Sequence, residues 1–146
     1  MKTRYGVALF VTLMTFLFSD MIWIQFVALN IFKQEVGHLL RIAPDFAAAT
    51  AFYLIYGTGL TVLAVEPVLE SRSLPTAITK GGALGLTAYA TFDLTNLALL
   101  KGWTLKLVLI DMAWGTAASA IAAVVAVVID RQVFSGIAPG ARDGGR

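Results

Sequence analysis

Three aspartates, Asp20, Asp93 and Asp111, each sit inside an apolar run long enough to cross a membrane. The same runs carry Trp23, Tyr53, Tyr56, Tyr89, Asn96 and Trp114. A carboxyl group held in hydrocarbon can pass a proton, receive a cation, or act as a general acid or base. Putting one there is costly. Insertion scales give about 2.5 to 3.5 kcal/mol for an aspartate at mid-membrane, so three facing lipid would cost on the order of 8 to 10. All three are therefore expected to face inward. No lysine or arginine lies at their depth. At least one is expected to keep its proton at neutral pH, unless a cation or water offsets the charge.

The densest stretch is Tyr89-Ala90-Thr91-Phe92-Asp93-Leu94-Thr95-Asn96, with a carboxylate and a carboxamide about one helical turn apart. Other chemistries are poorly served. Without cysteine the chain has no thiol redox chemistry and no thiolate ligand. The one histidine, His38, falls in a connection, no EF-hand pattern is present, and no metal site is expected. Gly81-Gly82 with Gly85 lacks the Lys-Ser/Thr ending of a phosphate loop and suits close helix packing better. No residue pattern names a cofactor. Asp20-Met21-Ile22-Trp23 and Asp111-Met112-Ala113-Trp114 share a spacing on helices of opposite direction, but a match that short arises readily by chance.

Composition supplies the elements. Of 146 residues, 58% are hydrophobic and 14% charged, well below the charged share of soluble domains. This is the profile of an all-α, polytopic membrane protein: an antiparallel four-helix transmembrane bundle whose main partner is the lipid bilayer. Spans are expected at about 5–29, 45–65, 81–100 and 105–129, each near the 20 residues that cross about 30 Å of hydrocarbon. They make one domain, 1–130, followed by a flexible cytoplasmic tail, 131–146, rich in Gly and Arg. Asn30 to Pro44 reads as a polar connection. The N-terminal run is too long for a signal-peptide core and lacks its exit site, so it is expected to stay as the first helix. A net charge of +2 with scattered basic residues gives no reason to expect nucleic acid.

Lys2, Arg4, Arg72, Lys80, Arg131, Arg142 and Arg146 fall on one side, and Lys33, Arg41, Lys101 and Lys106 on the other. That bias puts both termini in the cytoplasm. At 1.5 Å per residue, Asp20, Tyr53, Asp93 and Asp111 then lie roughly 9 to 14 Å below the outer surface. Facing agrees with depth. At 100° per residue, Phe16, Asp20, Trp23 and Val27 share a face, as do Ala49, Tyr53, Tyr56, Gly57, Leu60 and Ala64. So do Gly81, Gly85, Tyr89, Asp93 and Asn96, and likewise Asp111, Trp114, Gly115, Ala118 and Ala122. A polar pocket opening outward is expected, with small residues deeper. Trp103 reads as an interfacial anchor.

The pattern Gly85-x-x-x-Tyr89-x-Thr91-x-Asp93-Leu94-Thr95-Asn96-x-Ala98, then Trp103, then Asp111-x-x-Trp114-Gly115, resembles the signature of a bacterial family of predicted four-helix membrane proteins. That family is known as a domain of unknown function. Asp20 and Phe52-Tyr53-Leu54-Ile55-Tyr56 fit the same signature. The resemblance implies a bacterial inner-membrane location and four helices, and names no catalytic residue.

Three functions compete on these residues. The first is a site binding or moving protons, cations or a small polar ligand; with four helices, transport would need a homo-oligomer. Second comes an intramembrane acid–base enzyme on a lipid or isoprenoid, with Tyr53, Tyr56 and Asn96 orienting the substrate. Third is an accessory subunit whose aspartates pair with a membrane-protein partner. The residues leave open whether any reaction is catalysed.

Overall fold

In lipid a chain must satisfy its backbone internally, and apolar runs of this length do so as helices. The computed structural model describes residues 2–134, which fold as helices joined by short turns. Helix α1 (Lys2–Trp23) passes through a π-helical turn, Ile24–Ala28, into α2 (Leu29–Val36), and the rod closes in a 3₁₀ turn at Gly37–Leu39. Helix α3 (Phe46–Leu60) likewise runs into a π turn, Thr61–Val65, and a 3₁₀ turn, Glu66–Val68. Helices α4 (Leu74–Leu99) and α5 (Leu105–Phe134) complete four antiparallel rods.

The first rod is longer than expected. Much of the connection anticipated from Asn30 is helical, because Glu35 is held from the start of α5: it accepts from Thr104 Oγ1, just before that helix, at 2.7 Å and from Lys106 Nζ at 2.9 Å. At the far end, α5 continues past Asp130, which is buried and ion-paired. Residues 131–134 of the anticipated tail are thus helical, and the rest of it lies outside the described residues.

Starts and stops are locally encoded. Asp45 Oδ1 accepts from Ala48 N at 3.1 Å, and Ser73 Oγ from Thr76 N at 3.4 Å with Pro75 in the first turn. The turn between α4 and α5 needs a positive φ, 89°, which Gly102 supplies.

By length and composition, three rods suit a membrane: Lys2–Leu39, Phe46–Val68 and Leu105–Phe134. Helix α4 is long enough, but its glycines, threonines, Lys80 and Asp93 dilute its apolar content, and it is not among these three. Thr79, Thr87 and Thr91 bond to carbonyls of their own helix at 2.7 to 2.9 Å, which removes the penalty of a bare hydroxyl in lipid. Phe10, Phe18, Phe26, Ile55 and Phe92 are exposed on the outside of the bundle, as a lipid-facing surface requires.

The broadest helix contact is α4 on α5. A Cβ on Gly85 would stand 2.3 Å from the Gly115 carbonyl oxygen, and one on Gly81 would stand 2.7 Å from that of Ser119. These glycines set the helix spacing, in the small-residue packing that replaces hydrophobic drive in lipid. The half of the interior nearest Arg4 is filled by Ala8, Val65, Val68, Leu69, Ala77, Ala123, Ala126 and Val127. Tyrosines, tryptophans and aspartates occupy the half nearest Trp103.

Candidate functional site

Four helices deliver one polar group after another to this upper half. Asp20, on the buried face of α1, has both oxygens occupied: Tyr53 Oη of α3 donates to Oδ2 at 2.7 Å and Trp114 Nε1 of α5 to Oδ1 at 2.9 Å. Ser119 Oγ donates to Gly115 O at 2.7 Å. The Tyr56 hydroxyl, 2.7 Å from Ser119 Oγ, is therefore the donor in that bond. Buried Phe16 supports both tyrosines, its ring 4.9 Å from Tyr56 and 6.3 Å from Tyr53.

Trp23 and Trp114 stack at 4.6 Å with planes 4° apart. Their two Asp-Met-x-Trp segments thus meet, but not reciprocally. Trp114 bonds Asp20, while the Trp23 indole N–H is buried without a partner.

Asp93 is the contrasting carboxyl. It is wholly buried, and neither oxygen has a hydrogen-bond partner. Asp111 and the Trp103 indole are within interaction range of it, yet neither makes a bond of normal geometry, and Trp103 Nε1 is itself unpartnered. Asp111 in turn feels the charge of both Asp93 and Asp20. Among the described residues no group of three or more His, Cys, Asp or Glu side chains could hold a metal ion.

Two cavities lie against Asp111, and Asp93 lines neither of them. One of about 380 Å³ is lined by Phe52, Tyr56, Ala88, Tyr89, Phe92 and Asp111. The other, about 310 Å³, lies against Asp20, Trp23, Phe32, Tyr89 and Asp111 among its lining. Tyr89 and Asp111 are common to both. The Tyr89 ring fills the space where a side chain on Gly115 would be, only 2.1 Å from that hypothetical Cβ. Both volumes reach the range of small-molecule pockets, roughly 300 to 1,000 Å³.

Of the residues singled out from sequence, Asp20, Tyr53, Trp114 and Trp23 form one bonded and stacked group. Tyr89 and Asp111 stand at the junction of the cavities, with Asp93 buried behind Asp111 and within interaction range of it. Asn96 is half-buried one turn beyond Asp93, where its backbone carbonyl caps Leu100 N at 2.8 Å; its side chain does not join the Asp20 network. Trp103, expected as an interfacial anchor, has Phe32 and Phe92 packed edge-on to it at 6.1 and 5.8 Å and lies within range of Asp93.

Sequence reasoning missed Ser119, hidden in an alanine-rich stripe. It also missed Asp130, which Arg4 grips through Nε at 2.5 Å and Nη2 at 2.7 Å, with Arg72 Nε at 3.4 Å. Their shared side of the membrane was the available signal.

The chain belongs to the family described as "Predicted membrane protein (DUF2177)", matching it over residues 5–128. That description gives a membrane setting and no activity. No curated protein and no solved structure matches the chain.

Proposed function

Taking that membership as the premise, we propose that the protein is an intramembrane binding site whose Asp93–Asp111 pair receives a proton, a cation or the polar end of a small ligand. The single observation carrying this is Asp93: wholly buried, with neither carboxyl oxygen in a hydrogen bond of normal geometry. A buried polar group without a partner costs about 1 to 3 kcal/mol, which a structural role does not explain. Asp20, whose oxygens are filled by Tyr53 and Trp114, serves instead to fix one wall.

Two carboxyls within interaction range of each other, with no cation beside them, favour a proton held between them over two like charges. Asp20 and Tyr89 act on Asp111 and Trp103 lies within range of Asp93, and none of these is a cation. A cation that binds here displaces the shared proton, so its affinity rises as pH rises. We place the site in the outer half of a bacterial inner membrane with both termini cytoplasmic; the lysine and arginine distribution supports that orientation.

Infrared difference spectra in nanodiscs test this. The expected result is a protonated-carboxyl band lost in both Asp93→Asn and Asp111→Asn, and reduced when tetramethylammonium is added. A spectrum indifferent to both variants and to the cation would defeat the proposal.

Acid–base chemistry on a lipid or isoprenoid is the second reading, favoured by cavities of substrate size beside paired carboxyls. Turnover of a lipid by the wild type, lost in Asp111→Asn, would put it first.

A further inference from the structure

Building on that binding role, we propose that the ligand is a membrane-dissolved amphiphile with a positively charged nitrogen, admitted sideways between α3 and α4. Helix α4 packs on the π turn Thr61–Val65. Beyond that turn α3 and α4 draw apart, joined across the gap by the Tyr56–Tyr89 ring contact at 6.3 Å. The 380 Å³ cavity occupies this gap, with Phe52 and Tyr56 on one wall, Ala88, Tyr89 and Phe92 on the other, and Asp111 contributed by α5.

The mouth opens toward lipid. Phe52 and Phe92, one on each wall, are 41% and 52% exposed on the apolar outside of the bundle. From the loop end Trp103, set between Phe32 and Phe92, covers the wholly buried Asp93, and the 310 Å³ cavity that reaches Leu40 is the other approach to Asp111. A ligand dissolved among acyl chains reaches Asp111 through the gap between Phe52 and Phe92.

The lining chooses the head group. Neither cavity is lined by Lys, Arg or His, so an anion would be buried unpaired beside a carboxyl. A hard metal cation seeks six or more oxygen ligands, and the walls offer rings and methyl groups instead. An ammonium or quaternary nitrogen suits both parts of the wall. It pairs with Asp111, and the faces of Tyr56, Tyr89, Phe52 and Phe92 attract it through their ring quadrupoles. The apolar remainder of the ligand exchanges contacts with lipid for contacts with the same rings.

The test is equilibrium binding to the full-length protein in nanodiscs, with three probes: decyltrimethylammonium, decyl sulfate and tetramethylammonium. Wild type should bind decyltrimethylammonium at least about tenfold more tightly than either of the others. Asp111→Asn should lose at least about tenfold of that affinity, and Ala88→Leu, which narrows the gap without touching a carboxyl, should lose a similar factor. Ala88→Leu carries the test if Asp111→Asn fails to fold.

Equal binding of decyl sulfate, or affinity unchanged in Ala88→Leu, overturns the inference. If tetramethylammonium binds as tightly as the tailed cation and Asp111→Asn abolishes both, the carboxyl pair is a cation site but the lipid route is wrong. If neither cation binds, the inference fails, and the binding role fails with it where the protonated-carboxyl band is also indifferent to Asp93→Asn and Asp111→Asn.

Discussion

Asp20 and Asp93 are both buried in the same half of the bundle, and their neighbours give them opposite tasks. Asp20 accepts one bond on each oxygen, from residues of two other helices, and so ties α1 to α3 and α5. Tyr53→Phe removes one of those donors and should lower stability by about 1 to 2 kcal/mol, at the upper end for a bond between membrane helices. Equilibrium unfolding in mixed micelles measures this, and a double-mutant cycle with Asp20→Asn should show the two losses to be shared. That Asp20 and Tyr53 lie at one level was legible from their depths along the first two spans. Which donor reaches which oxygen was not, because that depends on helix order and rotation. Ser119 shows the limit: an isolated hydroxyl among alanines gives no pattern until Tyr56 is seen across from it.

At the scale of elements, glycine placement controls how far the helices stand apart. Gly85 faces the backbone of α5, where a Cβ meets a carbonyl oxygen that cannot swing aside. Gly59 faces open space. Gly85→Ala should therefore destabilise by at least about 2 kcal/mol, while Gly59→Ala should be neutral or slightly stabilising through its better helix propensity. Thermal unfolding of the two variants in one detergent separates these outcomes. The inward faces of all four helices were readable, since a 100° spacing sorts small and polar residues onto one side whatever their partners. The length of the first rod was not. Its polar end looks like a connection in sequence, and it is helical because Glu35 finds Thr104 and Lys106, more than sixty residues away in the chain.

The whole molecule is asymmetric from end to end. At one end Asp130 gathers Arg4 and Arg72, and Arg4 and Arg131 also bond carbonyls of the loop before α4, so that α1 and α5 are locked to the loop joining the other two rods. Above this lock lies a packed apolar layer, and above that the two cavities. Asp130→Asn should lower stability by about 1 to 3 kcal/mol, discounted because Arg4 is partly exposed, and leave cation affinity within about twofold. Denaturation and binding on one preparation check both halves of that statement. The lock escaped the sequence because Asp130 follows the last apolar run and so reads as the start of a tail.

The most direct test of the site at Asp93 is the unfolding free energy of Asp93→Leu, measured alongside its response to decyltrimethylammonium. A carboxyl retained for a ligand weighs on the empty bundle, so the variant should gain about 1 to 2 kcal/mol of stability and lose the response to the cation. A variant that is less stable than wild type, with its cation response intact, would show that Asp93 holds the helices together and that the binding site lies elsewhere.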